Sequence, residues 1–215
     1  DNLINQCVAL GGSYSEQYGR RCYMEFEQSN PVLQPQAIQN IKTCKITGQA
    51  VEGPYYRADA PFRTAIALTN TGGEKLVISG KVYASDCKTP LAGALVEVWQ
   101  ADANGAYDET SADYRYRGRM LTDENGHYKF ETILPGYYKL GNGFRPRHIH
   151  FKVSKSNYRP LTTQLYFSGD PYLTPNDACA TCGSDDPTLI IPLVILDKDQ
   201  GAAEQNGIFN IFLAE

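Results

Sequence analysis

The stretch Arg145-Pro146-Arg147-His148-Ile149-His150-Phe151-Lys152-Val153 holds two of the chain's three histidines, two residues apart. Its composition reads as a β-strand. Side chains of a strand alternate between faces, so His148 and His150 share one face and Ile149 and Phe151 take the other, toward a core. Two imidazoles side by side on one wall are how a strand offers two ligands to one metal ion. The plainer reading of a bare His-x-His is a pair of polar residues on a solvated sheet face.

On either side of this run the signals are also those of strands. Segments expected to be extended are Leu76–Ala84, Ala94–Ala101, Tyr128–Ile133, Thr163–Ser168, Leu189–Leu196 and Ile208–Leu213, most of them rich in Val, Ile, Tyr and Phe. Asp123-Glu124-Asn125-Gly126, between Met120-Leu121 and His127-Tyr128, predicts a hairpin turn because Asn-Gly tolerates positive φ. The third histidine, His127, falls at that turn and is expected to be exposed. Strands at this spacing, with Gly and Pro between them, predict an all-β chain built on an antiparallel β-sandwich.

Residues 1–45 differ from the rest. They are polar, lack β-branched runs and contain Cys7, Cys22 and Cys44. They are read as an arm, with short helices expected over Ser13–Gln28 and Gln34–Lys42 and a possible staple between Cys7 and Cys22. Residues 46–215 are expected to form the sandwich domain.

The 215 residues and 42% hydrophobic content suffice for a sizeable core. A net charge of -4 without a basic tract argues against nucleic acid as a partner. No run of about 18 apolar residues exists, so no transmembrane helix is expected. Six cysteines in loop-like segments suggest disulfides and an oxidising compartment. Cys179-Ala180-Thr181-Cys182 admits a redox or zinc reading, but no second Cys-x-x-Cys accompanies it, which favours a local disulfide or separate bridges. The chain begins at Asp1, which suggests a processed form.

A hard, highly charged ion held by two neutral histidines needs anionic ligands. The carboxylates near the strands show no pattern, but there are 15 tyrosines. Tyr107 lies in a loop after the Val98-Trp99-Gln100-Ala101 segment. Tyr137 and Tyr138 follow Pro135-Gly136, just before the His-x-His strand. Residue type and spacing do not choose between those two.

The chain resembles the intradiol ring-cleavage dioxygenases, the family of catechol and protocatechuate dioxygenases that use non-haem Fe(III). The residues that carry the likeness run in order from about 44 to 173: Glu52-Gly53-Pro54-Tyr55-Tyr56, Val96-Glu97-Val98-Trp99-Gln100-Ala101 with Gly105-Ala106-Tyr107, Arg117-Gly118-Arg119, Thr122-Asp123 through Gly126 and Tyr128, Pro135-Gly136-Tyr137-Tyr138, Arg145-Pro146-Arg147-His148-Ile149-His150-Phe151, Leu161-Thr162-Thr163-Gln164 and Gly169-Asp170-Pro171-Tyr172-Leu173. The resemblance implies that Tyr107, Tyr138, His148 and His150 hold the iron and that Arg145 and Gln164 serve catalysis. It implies that Pro54 and Tyr55 contact substrate; Trp99, the only tryptophan, beside Val98 and near Tyr107, is read as packing behind the site. It further implies a small aromatic diol and O2 as partners, and ring opening to a muconate-type diacid. Tyr138 would act as both ligand and base, and Arg145 would stabilise negative charge developing on the ring. Two phenolates and a hydroxide neutralise a trivalent ion between neutral imidazoles. A catechol dianion that displaces one phenolate and the hydroxide keeps that neutrality, which a poorly solvated pocket favours.

Three departures from the family pattern stand out. Arg147 replaces a small residue, on the face turned away from the histidines. Tyr137 stands where the protocatechuate enzymes have proline. The cysteine-bearing arm takes the place of the helical dimerisation region of the catechol enzymes, and Cys44 and Cys87 resemble the secreted branch, which implies an extracellular location. Two other readings compete: a sandwich with an altered metal site that carries an aromatic ligand, and a zinc hydrolase built on His148, His150 and a carboxylate.

Overall fold

The computed structural model describes residues 13–15, 21–24, 45–67, 72–196 and 204–215; the Gln34–Lys42 helix and the Cys7–Cys22 staple lie outside them. No helix occurs among the described residues. Five strands form one sheet: β4 (Leu95–Gln100), β5 (Arg117–Leu121), β9 (His148–Ser154), β10 (Leu161–Phe167) and β11 (Ile190–Ile191), in the order β11-β10-β9-β4-β5. The second sheet has seven: β1 (Ser13–Ser15), β2 (Arg21–Met24), β3 (Lys75–Tyr83), β6 (His127–Ile133), β12 (Val194–Leu196), β13 (Glu204–Ile208) and β14 (Ile211–Phe212). A short hairpin joins β7 (Tyr138–Leu140) to β8 (Gly143–Arg145).

Between the sheets lies one apolar core. Ile78, Val82, Tyr128 and Phe130 enter it from the larger sheet, and Val96, Val98, Ile149, Phe151 and Leu165 from the smaller. Phe151 sits at its centre, with ring centroids 5.2 Å from Phe209 and 6.0 Å from both Tyr128 and Phe130. The alternation read from β9 is therefore correct: Ile149 and Phe151 fill the core, and the histidines face outward. That outer face is nonetheless buried, because loops cover it; His148 and His150 are each 2% exposed.

Several features differ from the sequence expectation. The sheets are mixed rather than purely antiparallel, since β13 and β14 both run parallel to β3, β11 runs parallel to β10, and β12 to β2. Strands distant in sequence can reach a partner through a crossover and need not be joined by a tight turn. The helix expected over Ser13–Gln28 is corrected where residues are described. β1 and β2 are strands that pair with each other and, through β2, with β12, so the sheet supplies a ladder where a short isolated helix would be only marginally stable.

The Asn125-Gly126 turn forms, with Gly126 at φ 74° and its N–H donating to Asp123 O at 3.0 Å. It does not close a hairpin, because β5 belongs to the smaller sheet and β6 to the larger. Finally, Leu189–Leu196 is two strands in different sheets, divided at Pro192, which has no N–H for the ladder.

Candidate metal centre and active site

Register places the first layer of the site. On the outer face of the smaller sheet Trp99 of β4, His150 of β9 and Gln164 of β10 are cross-strand neighbours, and Tyr166 lies opposite His148. Trp99 stacks on the His150 ring at 4.7 Å and 8° and is 2% exposed, so it packs behind the site. The His148 and His150 rings lie 4.8 Å apart.

Loops supply the second layer. After β4 the chain turns on Asp102, whose Oδ1 accepts the N–H groups of Asn104 at 2.8 Å and Ala106 at 2.9 Å. Gly105, at φ 84°, lets this loop meet the Pro135–Tyr138 segment, where a Cβ would sit 2.5 Å from Tyr137 O. Gly136 approaches as closely from the other side, and its N–H donates to Asp102 O at 2.8 Å. The interlock sets the Tyr107 and Tyr138 rings edge to face at 5.8 Å, and Tyr138 lies 5.8 Å from His148. Tyr137 turns away to pack on Phe144 and Tyr172 and is 38% exposed. Tyr138, not Tyr137, joins the cluster.

At its centre the Tyr107 hydroxyl lies 3.1 Å from Nε2 of His148 and 3.1 Å from Nε2 of His150. His148 Nδ1 lies 2.7 Å from Pro146 O, and that carbonyl can only accept, so the proton is on Nδ1 and Nε2 presents its lone pair to the cluster. His150 Nδ1 is buried without a hydrogen-bond partner; stacking on Trp99 holds that ring instead.

Burial sets the charge states. It drives the His148 pKa down to about 3, helped by the Arg145 charge, and drives His150 well below its ordinary value, with His148 and Arg145 adding to the effect. Both imidazoles are neutral at any ordinary pH. Burial likewise pushes the phenols of Tyr107 and Tyr138 up, against the pull of Arg145. Without a cation both stay protonated; a trivalent ion would invert that preference. Two neutral imidazole nitrogens and two phenols that ionise only for a strong positive charge suit a hard ion such as Fe(III). Among the described residues no group of three His, Cys, Asp or Glu side chains converges, so none of their carboxylates joins these histidines in the set a zinc hydrolase needs.

Above the cluster lies Arg145, its side chain 3% exposed. It donates to Gln164 Oε1 at 2.8 Å, Tyr166 Oη at 3.0 Å and Asp177 Oδ1 at 2.9 Å. Burial works against its charge, but Tyr166, Asp177 and Tyr138 around it outweigh that and raise its pKa. Gln164 donates in turn to Val51 O at 2.7 Å.

A family model described as a dioxygenase matches residues 51–214. The chain belongs to the intradiol ring-cleavage dioxygenase family. Catechol 1,2-dioxygenase 2 of Acinetobacter lwoffii is 40% identical over a match that covers 63% of this chain and 56% of that protein, so the chain spans little more than half that relative's length. A chlorocatechol 1,2-dioxygenase of Rhodococcus opacus is 32% identical, covering 78% of this chain and 72% of its own. The solved dioxygenase domain of a dioxygenase carbohydrate-binding protein fusion from Streptomyces sp. SirexAA-E superposes with a TM-score of 0.65 at 37% identity, covering 79% of this chain and 99% of that one.

Within this dioxygenase-family chain Tyr107, Tyr138, His148, His150, Arg145 and Gln164 all gather at one place. Tyr55 stacks face to face on Tyr107 at 4.2 Å and 11°. Pro54 adjoins Gly53, at φ 71°, where a Cβ would meet the His150 ring at 3.5 Å. His127 stands apart, its side chain 43% exposed and paired with Asp123. Arg147 turns away as expected, over the Tyr137 ring and 3.5 Å from Asp170.

Sequence reading assigned no role to three residues that shape the site. Tyr166 is legible only from the β9–β10 register. Asp177 reaches Arg145 from a loop. Arg117, 1% exposed, donates to Tyr55 O at 2.6 Å and Asp108 O at 3.1 Å, fixing the chain on both sides of the Tyr55–Tyr107 stack.

Proposed function

We propose that this protein is a non-haem Fe(III)-dependent intradiol dioxygenase that opens catechol-type rings between the two hydroxylated carbons with O2, giving muconate-type diacids. The observation that carries the reading is the convergence of His148 Nε2, His150 Nε2 and the Tyr107 hydroxyl, with Tyr138 beside them and Arg145 above. His148, His150, Tyr107 and Tyr138 would hold the iron. When bound, the metal supplies the Lewis acidity that favours a catecholate over a neutral catechol and the redox couple through which the ring reacts with O2.

The protein's own groups do the rest. Tyr138 takes a proton from catechol as it binds, so the pocket exchanges one phenolate for another without a change of net charge. The Arg145 guanidinium, always charged, stabilises negative charge developing on the ring and is aimed by Gln164, Tyr166 and Asp177. Pro54 and Tyr55 form the pocket wall that orients the ring. An oxidising, extracellular setting belongs to the same reading, supported by the Cys179–Cys182 disulfide and by Cys87, which is also disulfide-bonded.

The test is a visible absorption spectrum of iron-loaded protein, followed by anaerobic addition of catechol. Tyrosinate bound to Fe(III) gives a broad charge-transfer band that should shift with catechol, and admitting air should then consume O2. A fully loaded, colourless protein would refute tyrosinate ligation.

A further inference from the structure

The Cys-x-x-Cys motif plays no part in the chemistry above, yet its backbone meets the site at two points. Cys179 and Cys182 close a disulfide across a four-residue loop. The Cys179 N–H donates to Asp177 Oδ1 at 2.9 Å, the same oxygen that receives Arg145 Nε. The Cys182 carbonyl lies 2.7 Å from the Tyr166 hydroxyl, whose one proton it shares with Gln164 Oε1 at 2.6 Å, and that hydroxyl in turn receives the Arg145 guanidinium at 3.0 Å. The second oxygen of Asp177, Oδ2, is buried without a hydrogen-bond partner. The carboxylate is therefore held through Oδ1 alone, between Arg145 and the loop. Ala178 N–H also donates to Phe144 O at 2.9 Å, tying this segment to the residue before Arg145.

A buried Asp–Arg pair, with side chains 1% and 3% exposed, is a weak argument for stability, because two charges have left water. It is a strong means of fixing a direction. A guanidinium held at Nε by one carboxylate and at one terminal nitrogen by Gln164 and Tyr166 has no freedom to rotate about its stem. Preorganised charge is worth most when it costs no reorientation during the reaction.

We propose that Asp177, held by the disulfide-closed loop Cys179–Cys182, is the positioning residue for Arg145. The loop acts through main-chain groups, so the disulfide's part is to hold the Cys179 N–H and the Cys182 carbonyl in place; opening it returns torsional freedom to the backbone that carries both. The proposal rests on Arg145 acting at the ring as set out above.

The experiment uses the iron-loaded full chain with catechol as probe. Asp177→Asn keeps the volume and an acceptor oxygen but removes the charge. It should lower kcat about ten- to hundred-fold with KM changed less than about threefold and the tyrosinate charge-transfer band retained. In an Arg145→Gln background the same substitution should change kcat less than about twofold, because its effect runs through Arg145. Cys179→Ser with Cys182→Ser should lower kcat several-fold, also at unchanged KM. A purely structural role would instead lower Tm, leave kcat alone and act equally in both backgrounds. Asp177→Asn or the serine pair turning over within about twofold of the parent overturns the proposal. Should Asp177→Asn not fold, Asp177→Glu carries the same comparison. Absence of catechol-dependent O2 uptake by the parent refutes the functional reading itself, and is thereby told apart from a failure of this inference alone.

Discussion

Tyr107 is the residue on which the cluster turns, because its hydroxyl is the atom that both imidazole nitrogens approach. Tyr107→Phe removes that oxygen and little volume. We expect at least about a hundred-fold loss of catechol turnover and loss or a large shift of the charge-transfer band, with circular dichroism unchanged. The histidines predict a pH dependence in the metal-free protein. The folded-state pKa of His148 is about 3, against 6.5 in an unfolded chain. Above pH 6.5 neither state binds the proton. As pH falls below that, the unfolded chain takes it up and the folded one does not, so stability falls. The slope is about 1.4 kcal/mol per pH unit for this residue, and His150 adds in the same direction. Urea unfolding at about pH 7 and about pH 5 should show the loss, and His148→Gln should make it shallower.

β3 is the element that organises the larger sheet, since β6, β13 and β14 all pair with it. The break between β13 and β14 is built around Gly80. A Cβ there would sit 1.9 Å from Phe209 O, the same carbonyl that accepts the Tyr128 hydroxyl at 2.5 Å. Beside it the Asn210 side chain stands in for backbone and accepts Lys81 N–H at 2.9 Å. Gly80→Ala should therefore destabilise the fold by about 1–3 kcal/mol through overpacking against a backbone atom, measured by chemical denaturation. A neutral result would mean that the β13–β14 junction shifts freely. The single strand expected over Ile208–Leu213 is two for this reason. Its β propensity is readable, but the close backbone approach at its break involves a glycine about 130 residues earlier.

At the scale of the whole molecule, the site joins β4, β7, β8, β9 and β10 to loops 51–57, 101–108 and 134–137. An ion bound there would tie together segments far apart in sequence. Ligands that bind only the folded state stabilise it by mass action, about 2.7 kcal/mol at a hundredfold excess over Kd. Removing iron with a chelator should lower Tm by several degrees in the parent, and by much less in His148→Gln or Tyr107→Phe, as followed by calorimetry. An equal Tm with and without iron would show that these side chains do not hold it.

Along the sandwich core the local sequence determined much that depends on period and residue type, though it misread Ser13–Gln28 as helix. Alternation along Arg145–Val153 placed the two histidines together, the β-rich segments foretold a sandwich, and Asn125-Gly126 foretold its turn. The family likeness points to Tyr138 rather than Tyr137. Tertiary structure decided what depends on which distant segments meet. It sent β5 and β6 to different sheets although a hairpin-type turn joins them, and it made the sheets mixed. It also buried the histidine face under loops that interlock at Gly105 and Gly136, and it brought Tyr166 and Asp177 to Arg145. Side-chain alternation is a property of neighbours along the chain, whereas register and loop closure are properties of strands separated by tens of residues. No local pattern encodes a distance of that kind.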